Sequence, residues 1–429
     1  MALPVITTFV LLFALLASGA WVSLSLVGVG IGSLAIFRDM MPIDKILAQT
    51  VWNGLSSPEL VVMPLFILMS ELIMRSRFID GLFRALEPWV RRLPGGLLHT
   101  NVLGCTFFAL ISGSSAATTS AIGKLTIDEL NTRGYDPKLS MGSLAGAGTL
   151  GLLLPPSITM IVYGVLSQTS VLKLFAAGVI PGLLLATLMM IYIALADRTR
   201  HKSKDEPQGS IWKERLMHLP ALLPFILLMA GLLISLYAGF ASPSEAASIS
   251  VAITLVIMVY ERSLSIPVIM NALIGTAKTT SMLGLIVAAA SFLSTVMGYL
   301  GLPRTISTMV NSMHLAPLEL VALMVLIYIL LGCFLEGMSM VLMTLPLVLP
   351  LMTQAGYDKV WFGIFLIIVV ELAQISPPVG MNLFVIKGLT NENLGTITKA
   401  VLPFFLIMVV YVFVLALFPE IVNFLPSLL

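Results

Sequence analysis

The sequence predicts an all-α protein that crosses a membrane many times, and composition, apolar run length and an internal repeat support this prediction. Of its 429 residues, 58% are hydrophobic and 10% are charged, and the mean hydropathy is +1.05. Runs of about 20 apolar residues, the length that spans a hydrocarbon core of roughly 30 Å, recur along the chain. The opening segment lacks the basic region of a cleavable signal peptide, so we interpret it as a first membrane helix.

A basic segment, DRTRHKSKDEPQGSIWKER at residues 197–215, is the one clearly hydrophilic stretch inside the chain. Basic loops stay on the cytoplasmic side of a membrane, so this segment predicts a cytoplasmic linker at 198–216. It separates a first membrane repeat, residues 1–197, from a second, residues 217–429. Residues 76–93 are amphipathic and basic, which is typical of a helix lying in the membrane interface.

The two halves repeat each other with an offset of about 222 residues. Gly-Tyr-Asp occurs at 134–136 and again at 356–358, and Pro-Pro occurs at 155–156 and again at 377–378. Counting spans from the cytoplasmic linker gives the two copies opposite directions across the membrane. This order predicts an inverted-topology repeat, which is common among secondary transporters.

Small and polar residues interrupt one apolar segment in each half, and we expect two re-entrant helical hairpins there. The first hairpin, about residues 97–131, carries serines and threonines at its centre, and the second, about 316–354, carries Glu336. Leu-Gly-Cys also occurs in both hairpin segments, at 103–105 and 331–333. These copies align only if the first half has about six more residues than the second before its Gly-Tyr-Asp. A simpler interpretation remains, because Ser and Thr in membrane helices often bond to their own backbone and Gly often marks close packing.

The double prolines predict two discontinuous helices, at about residues 138–167 and 359–388. Proline has no N–H and clashes with the preceding turn, so each pair frees backbone carbonyls at membrane depth. Such a break is tolerated only where it is buried in protein or lines a polar cavity. Carbonyls and hydroxyls that meet at a hairpin tip would suit a hard cation such as Na⁺. The N-termini of the half-helices would attract an anionic substrate.

Acidic residues inside membrane spans are costly and therefore indicate function. Glu336 at the second hairpin tip is the better candidate, whereas Glu371 could equally well pair with a helix end or a lysine. No phosphate-binding loop for ATP and no metal-ligand spacing among the four histidines occurs. A net charge of +2 gives no reason to expect nucleic acid. We therefore expect no enzyme activity and no organic cofactor. An intramembrane enzyme or a channel is a further alternative, but the sequence lacks the nucleophile-base pair or pore motif that it would need.

Three motifs carry a resemblance to a known family: GSSAATTSAIG, AGAGTLGLLLPPSITMIVYG and ELAQISPPVGMNLFVIKG. They resemble the large membrane subunit of tripartite ATP-independent periplasmic (TRAP) transporters over nearly the whole chain. The resemblance implies a bacterial inner-membrane symporter with an elevator-type motion, driven by two or more Na⁺. It also implies contact with membrane lipid, a small four-helix membrane subunit and a periplasmic binding protein. The substrate would be a carboxylate-bearing acid, such as a sialic acid or a C4-dicarboxylate.

The resemblance also assigns site residues. One sodium site would use Ser114, Ser115, Gly151, Leu154 and Pro155, and the other Gly337, Ala373, Ser376 and Val379. Substrate would lie near Ser115, Ser157 and Glu336. The family often has Asp in place of Glu336, and Gly-Leu-Ile-Thr in place of residues 373–376. The alternative function is a self-sufficient Na⁺-coupled carboxylate carrier or a cation antiporter with related hairpins.

Overall fold

The computed structural model describes residues 3–76, 78–197, 211–312, 315–333, 335–377, 380–390 and 392–429. Within these ranges every regular element is helical, so the protein is an all-α membrane protein. Residues 198–210 of the predicted linker lie outside the described residues, as do Pro378 and Val379. The helix after the linker begins at Ile211, inside the segment predicted as linker.

The first helices form part of a scaffold that frames the protein. The fourth helix follows the third after a 55° bend, which contains a short 3-10 turn at Pro58–Val61. The fifth helix lies within the predicted amphipathic segment and buries one face through Leu82 and Leu86, one turn apart. The bounds are α1 Leu3–Ala17, α2 Val22–Phe37, α3 Ile43–Leu55, α4 Val62–Met74 and α5 Phe78–Val90.

The first hairpin and broken helix follow directly. The hairpin turns at Gly113, whose φ of 54° favours glycine, and the Ser114 side chain then accepts the Ala117 N–H to cap the descending helix. The broken helix bends by 42° at the first double proline. The bounds are α6 His99–Ser112, α7 Ser115–Thr132, α8 Pro137–Gly148, α9 Leu150–Leu153, α10 Ile158–Ser167 and α11 Val171–Ala196.

The second half reproduces this order of elements. Its third helix has 34 residues, a length of about 51 Å, and corresponds to the bent pair α3–α4. The bounds are α12 Ile211–Tyr237, α13 Pro243–Tyr260, α14 Ile266–Tyr299, α15 Leu302–Ser312, α16 Pro317–Gly332, α17 Gly337–Gln354, α18 Lys359–Gln374, α19 Met381–Leu389, α20 Leu394–Leu417 and α21 Glu420–Asn423.

The structural repeat keeps one offset through both hairpins. Helices α7 and α17 begin at Ser115 and Gly337 and have equal length, so their starts are 222 residues apart. The alignment of the two Leu-Gly-Cys motifs is therefore wrong. Gly104 lies in the middle of α6, whereas Cys333 follows the end of α16. The two motifs lie at different places on the first helix of each hairpin, and aligning the hairpins requires no six-residue insertion.

The helices pack as two bodies that contact each other, for example where α4 and α5 meet α6, and that share one hydrophobic core. In the scaffold, α14 lies against α2, α3 and α4, and α13 lies against α4. In the other body, the first hairpin packs on α8, the second hairpin packs on α18, and α20 packs on α8. Helix α18 is the centre of this second body, because every residue from Val360 to Gln374 is buried. Five helices among the described residues are long and apolar enough to span a membrane, or seven spans if each bent pair counts as one.

The two halves cross at the centre of the second body. Helix α7 of the first hairpin packs on α19, and α17 of the second hairpin packs on α10. Each hairpin thus contacts the half-helix that follows the break in the other repeat. The two broken helices also meet where α9 packs on α18. Both hairpin tips and both breaks are therefore brought to the same region of the molecule.

Candidate ion and substrate site

The first hairpin tip packs tightly on the first broken helix. A Cβ atom placed on Gly151 would lie 2.8 Å from the Ser114 carbonyl oxygen and 2.9 Å from the Ser115 Cα. Only glycine allows α9 to approach the tip so closely. Inside the hairpin, the Thr118 hydroxyl donates to the Ser114 carbonyl at 2.7 Å. Three residues of the first predicted sodium site, Ser114, Ser115 and Gly151, are thus neighbours.

The Ser115 hydroxyl connects the two halves of the protein. It donates to the Gly148 carbonyl at 3.1 Å and accepts the Asn382 Nδ2–H at 2.8 Å. The Glu371 carboxylate lies beside the same hydroxyl. Asn382 stands on α19 and Glu371 on α18, so the second half completes the surroundings of the first hairpin tip.

The first double proline leaves backbone carbonyls without helical donors. In a continuous helix the N–H of Pro155 would reach the Gly151 carbonyl, but proline has no N–H. The Leu153 carbonyl faces α11, where a Cβ on Gly178 would lie 2.5 Å from it. Leu154 and Pro155 are buried at the break. The Leu153 carbonyl is therefore turned towards α11, whereas the Gly151 carbonyl lacks the helical donor that Pro155 cannot supply.

The second hairpin tip packs on the end of α18. A Cβ on Gly337 would lie 3.1 Å from Val370 Cγ1, and one on Gly332 would lie 2.4 Å from the Ala373 Cβ. The Ser376 hydroxyl and backbone N–H both donate to the Ala373 carbonyl, at 2.9 and 3.2 Å. Gly337, Ala373 and Ser376 thus lie around one helix end, and the predicted ligand Val379 lies outside the described residues.

The three predicted substrate residues have different surroundings. Ser115 is 6% exposed and Ser157 is fully buried, with its hydroxyl accepting the Met160 N–H at the start of α10. Glu336 is exposed and caps α17, because its Oε2 accepts the Ser339 N–H at 3.2 Å. Of the three, Glu336 alone has an exposed side chain that a solute could reach in this conformation.

Four buried polar atoms near the tips have no hydrogen-bond partner within the described part of the chain. They are Thr119 Oγ1, Glu371 Oε2, Gln374 Nε2 and Asn382 Oδ1. The other Glu371 oxygen accepts the Leu152 N–H at 3.1 Å, so this carboxylate does contact a helix end. Sequence reasoning missed Thr119, Gln374 and Asn382 as site residues. The available signal was a polar side chain inside a membrane-depth apolar run.

One large cavity lies away from the hairpin tips, between the scaffold and the second body. Its volume is about 1120 Å³, and Thr50, Ser170, Ser291 and Thr295 line it together with Glu59. None of the described candidate residues lines it. The cavity thus lies between helices of the two bodies and is distinct from the described residues of the predicted ion sites.

A family model described as tripartite ATP-independent periplasmic transporter, DctM component, matches residues 9–421. The chain belongs to this family. It is therefore a large TRAP subunit and a multi-pass protein of the bacterial inner membrane. The family match favours a TRAP subunit over the alternative of a self-sufficient carrier.

Relatives with named functions are transport permeases. The C4-dicarboxylate TRAP transporter large permease protein DctM of Pseudomonas aeruginosa is 31% identical over 397 residues, which is 92% of each chain. The sialic acid TRAP transporter permease protein SiaT of Haemophilus influenzae is 26% identical over 95% of this chain and 67% of its own length. These relatives are permeases and not enzymes.

A solved structure of a transporter has a similar fold. The crystal structure of the YdaH transporter of Alcanivorax borkumensis superposes with a TM-score of 0.62, covering 87% of each chain at 16% identity. At this identity the likeness concerns the fold alone. A helical transporter fold of this kind is thus shared by chains with little sequence in common.

Proposed function

We propose that this TRAP subunit couples Na⁺ entry to uptake of a carboxylate-bearing organic acid, such as a sialic acid or a C4-dicarboxylate. It would act with a small four-helix membrane subunit and a periplasmic binding protein. The observation that carries the proposal is the first hairpin tip, where the Ser115 hydroxyl meets the Gly148 carbonyl and Asn382 from the other half. Substrates named for the relatives support the substrate class.

The atoms at this tip fit a hard monovalent cation. Hydroxyl, carbonyl and carboxylate oxygens are the ligands such ions prefer, and Ser115, Gly148, Thr119 and Glu371 provide them. Buried oxygens of Thr119 and Glu371 lack partners within the described residues, which is costly unless something binds them. A bound Na⁺ would supply positive charge at membrane depth.

The start of α19 supports a site for the substrate carboxylate. Gly380 precedes α19 and provides no side-chain cap, and the Leu383 N–H donates to the Gly380 carbonyl, so Met381 and Asn382 carry the N–H groups that an anion could bind. Ser157 and Glu336 already cap α10 and α17. The side chains of Met381 and Phe384, one turn apart on α19, are 41% and 43% exposed. They form an exposed apolar face of α19 next to its N-terminus. Glu336 would accept a substrate hydroxyl rather than hold a carboxylate.

The packing of the two bodies supports an elevator motion. Helix α17 of the second hairpin packs on α14 of the scaffold, and α6 of the first hairpin packs on α4 and α5 of the scaffold, so both hairpins lie against it. An elevator motion would slide the hairpins and broken helices past the scaffold helices, next to the cavity that both groups of helices line.

Uptake into proteoliposomes tests the proposal. Radiolabelled sialic acid and succinate would be offered with and without an inward Na⁺ gradient, and with and without the small subunit and binding protein. We expect accumulation of one acid class only with the gradient and both partners. Uptake that is unchanged when K⁺ replaces Na⁺ would overturn the coupling, and uptake without a binding protein would favour the self-sufficient carrier.

A further inference from the structure

We propose that Glu371 is the charged ligand of the cation site at the first hairpin, and that it joins this site to the second half of the protein. The proposal rests on the Na⁺ coupling proposed above and goes beyond the hydroxyls and carbonyls carried over from the family. Glu371 stands on α18, five positions before Ser376, in a helix that is buried along its length.

Glu371 and Asn382 each offer one unpaired oxygen next to Ser115. Glu371 is 1% exposed; its Oε1 accepts the Leu152 N–H at 3.1 Å, and its Oε2 has no partner within the described residues. Asn382 is fully buried; its Nδ2–H goes to Ser115 Oγ at 2.8 Å, and its Oδ1 is likewise unpaired. The free oxygens belong to side chains held in place by their other atoms.

Thr119 adds a third oxygen to this group. A Cβ placed on Gly148 would lie 1.9 Å from Thr119 Oγ1 and 3.5 Å from Asn382 Nδ2, so both side chains flank the same glycine. The Gly148 carbonyl in turn accepts the Ser115 hydroxyl. Thr119 Oγ1 is buried and unpaired in the described part of the chain. Four elements from both halves therefore bring oxygen atoms to one small region.

A buried carboxyl group at this place needs a positive partner if it is to be ionised. The ion pairs described join Arg75 to Glu71 and Arg133 to Glu87 and Glu129, and none involves Glu371. The charged group that acts on Glu371 is another carboxylate, Glu336. Burying a carboxylate without compensation is strongly unfavourable. A cation bound among these oxygens would provide the compensation that the side chains do not.

The second hairpin lacks this arrangement. The 222-residue offset places Thr149 at the position equivalent to Glu371 and Met160 at the position equivalent to Asn382. The Thr149 hydroxyl donates to the Gly146 carbonyl at 2.6 Å, so it is satisfied within its own helix. The Glu371 carboxylate thus lies at the first hairpin tip and has no equivalent at the second. Na⁺ binding at the first site should therefore depend on Glu371 more strongly than Na⁺ binding at the second.

Thermal unfolding of the full-length protein in detergent tests the proposal. The unfolding temperature is measured while NaCl replaces choline chloride at constant ionic strength. We expect Na⁺ to raise the unfolding temperature of the wild type. In Glu371→Gln the Na⁺ concentration for the half-maximal rise should increase about 10- to 100-fold, the usual loss on disturbing a metal site. Glu392→Gln, an exposed carboxylate outside the site, should titrate as wild type.

Two further variants keep the test decisive if Glu371→Gln fails to fold. Thr119→Val removes one oxygen at nearly constant volume and should also weaken the Na⁺ response, whereas Glu371→Asp keeps the charge and should lose less than Glu371→Gln. A wild type that does not respond to Na⁺ would overturn the proposed coupling. A responding wild type with unchanged titrations in Glu371→Gln or, failing that, Thr119→Val would overturn the role of Glu371 alone.

Discussion

Gly151 provides a direct test of the close packing between α9 and the first hairpin tip. In Gly151→Ala the new Cβ would lie 2.8 Å from the Ser114 carbonyl oxygen and 2.9 Å from both the Ser114 carbonyl carbon and the Ser115 Cα. All three are backbone atoms, so a side-chain rotation cannot relieve the contact. Overpacking of this kind costs about 1–3 kcal/mol. The tip should therefore move away from α9.

Gly284→Ala in α14 is the matched control. Its new Cβ would lie 3.7 Å from Leu55 Cδ2, an ordinary contact, and replacing a glycine inside a helix by alanine gains up to about 1 kcal/mol. Thermal unfolding should thus separate the two variants in opposite directions from the wild type. Gly151→Ala should in addition need more Na⁺ for the same stabilisation. If both variants unfold alike and respond equally to Na⁺, the tip does not depend on this contact.

Three further predictions concern other parts of the molecule. A small thiol reagent should modify Cys333, which is partly exposed, and leave buried Cys105 until the protein unfolds; equal rates for the two would contradict the described packing. Ser242→Ala removes the capping box of α13 and should cost about 1 kcal/mol in thermal unfolding, with Ser242→Asn closer to wild type. A double-mutant cycle for the exposed pair of Arg133 and Glu87 should give a coupling below about 1 kcal/mol, and a larger value would mean that the pair is held rigidly.

The sequence contained the information for the architecture because that information is local. Apolar run length determines where the chain can span, and a pair of prolines interrupts a helix whatever surrounds it. The helices α8 to α10 begin and end at Pro137 and Ser167, close to the predicted 138–167. The sequence also predicted the 222-residue offset between the repeats. The two Leu-Gly-Cys motifs match by chance, and the hairpin alignment based on them was wrong.

The polar partners of the site could not be derived in this way because they come from distant parts of the chain. Asn382 stands in the run GMNLFVIKG, which by its pattern is an ordinary apolar helix. Its role depends on the packing of α19 against α7, and no local sequence pattern predicts that contact. Glu371 is similar: its cost within the membrane indicated importance, but its contact with Leu152 is visible only once α9 and α18 meet.

The family resemblance and the structure also give different views of Glu336. The resemblance placed it among the substrate residues, and the structure shows it capping α17 through Ser339. The Asp that the resemblance implies at this place is a preferred cap with a shorter side chain. Glu336 caps α17 through one oxygen, and its side chain is exposed. Both roles can therefore be met by one side chain.

The crossed packing of the two halves has a consequence for biosynthesis. The bond between Ser115 and Asn382 joins residues 267 positions apart. At a synthesis rate of about 5–20 residues per second, the first hairpin is complete tens of seconds before its partner leaves the ribosome. During that interval its polar tip sits unfinished in or beside the bilayer. We infer that the nascent first half needs shelter from the insertion machinery or from lipid headgroups until the last third of the chain arrives.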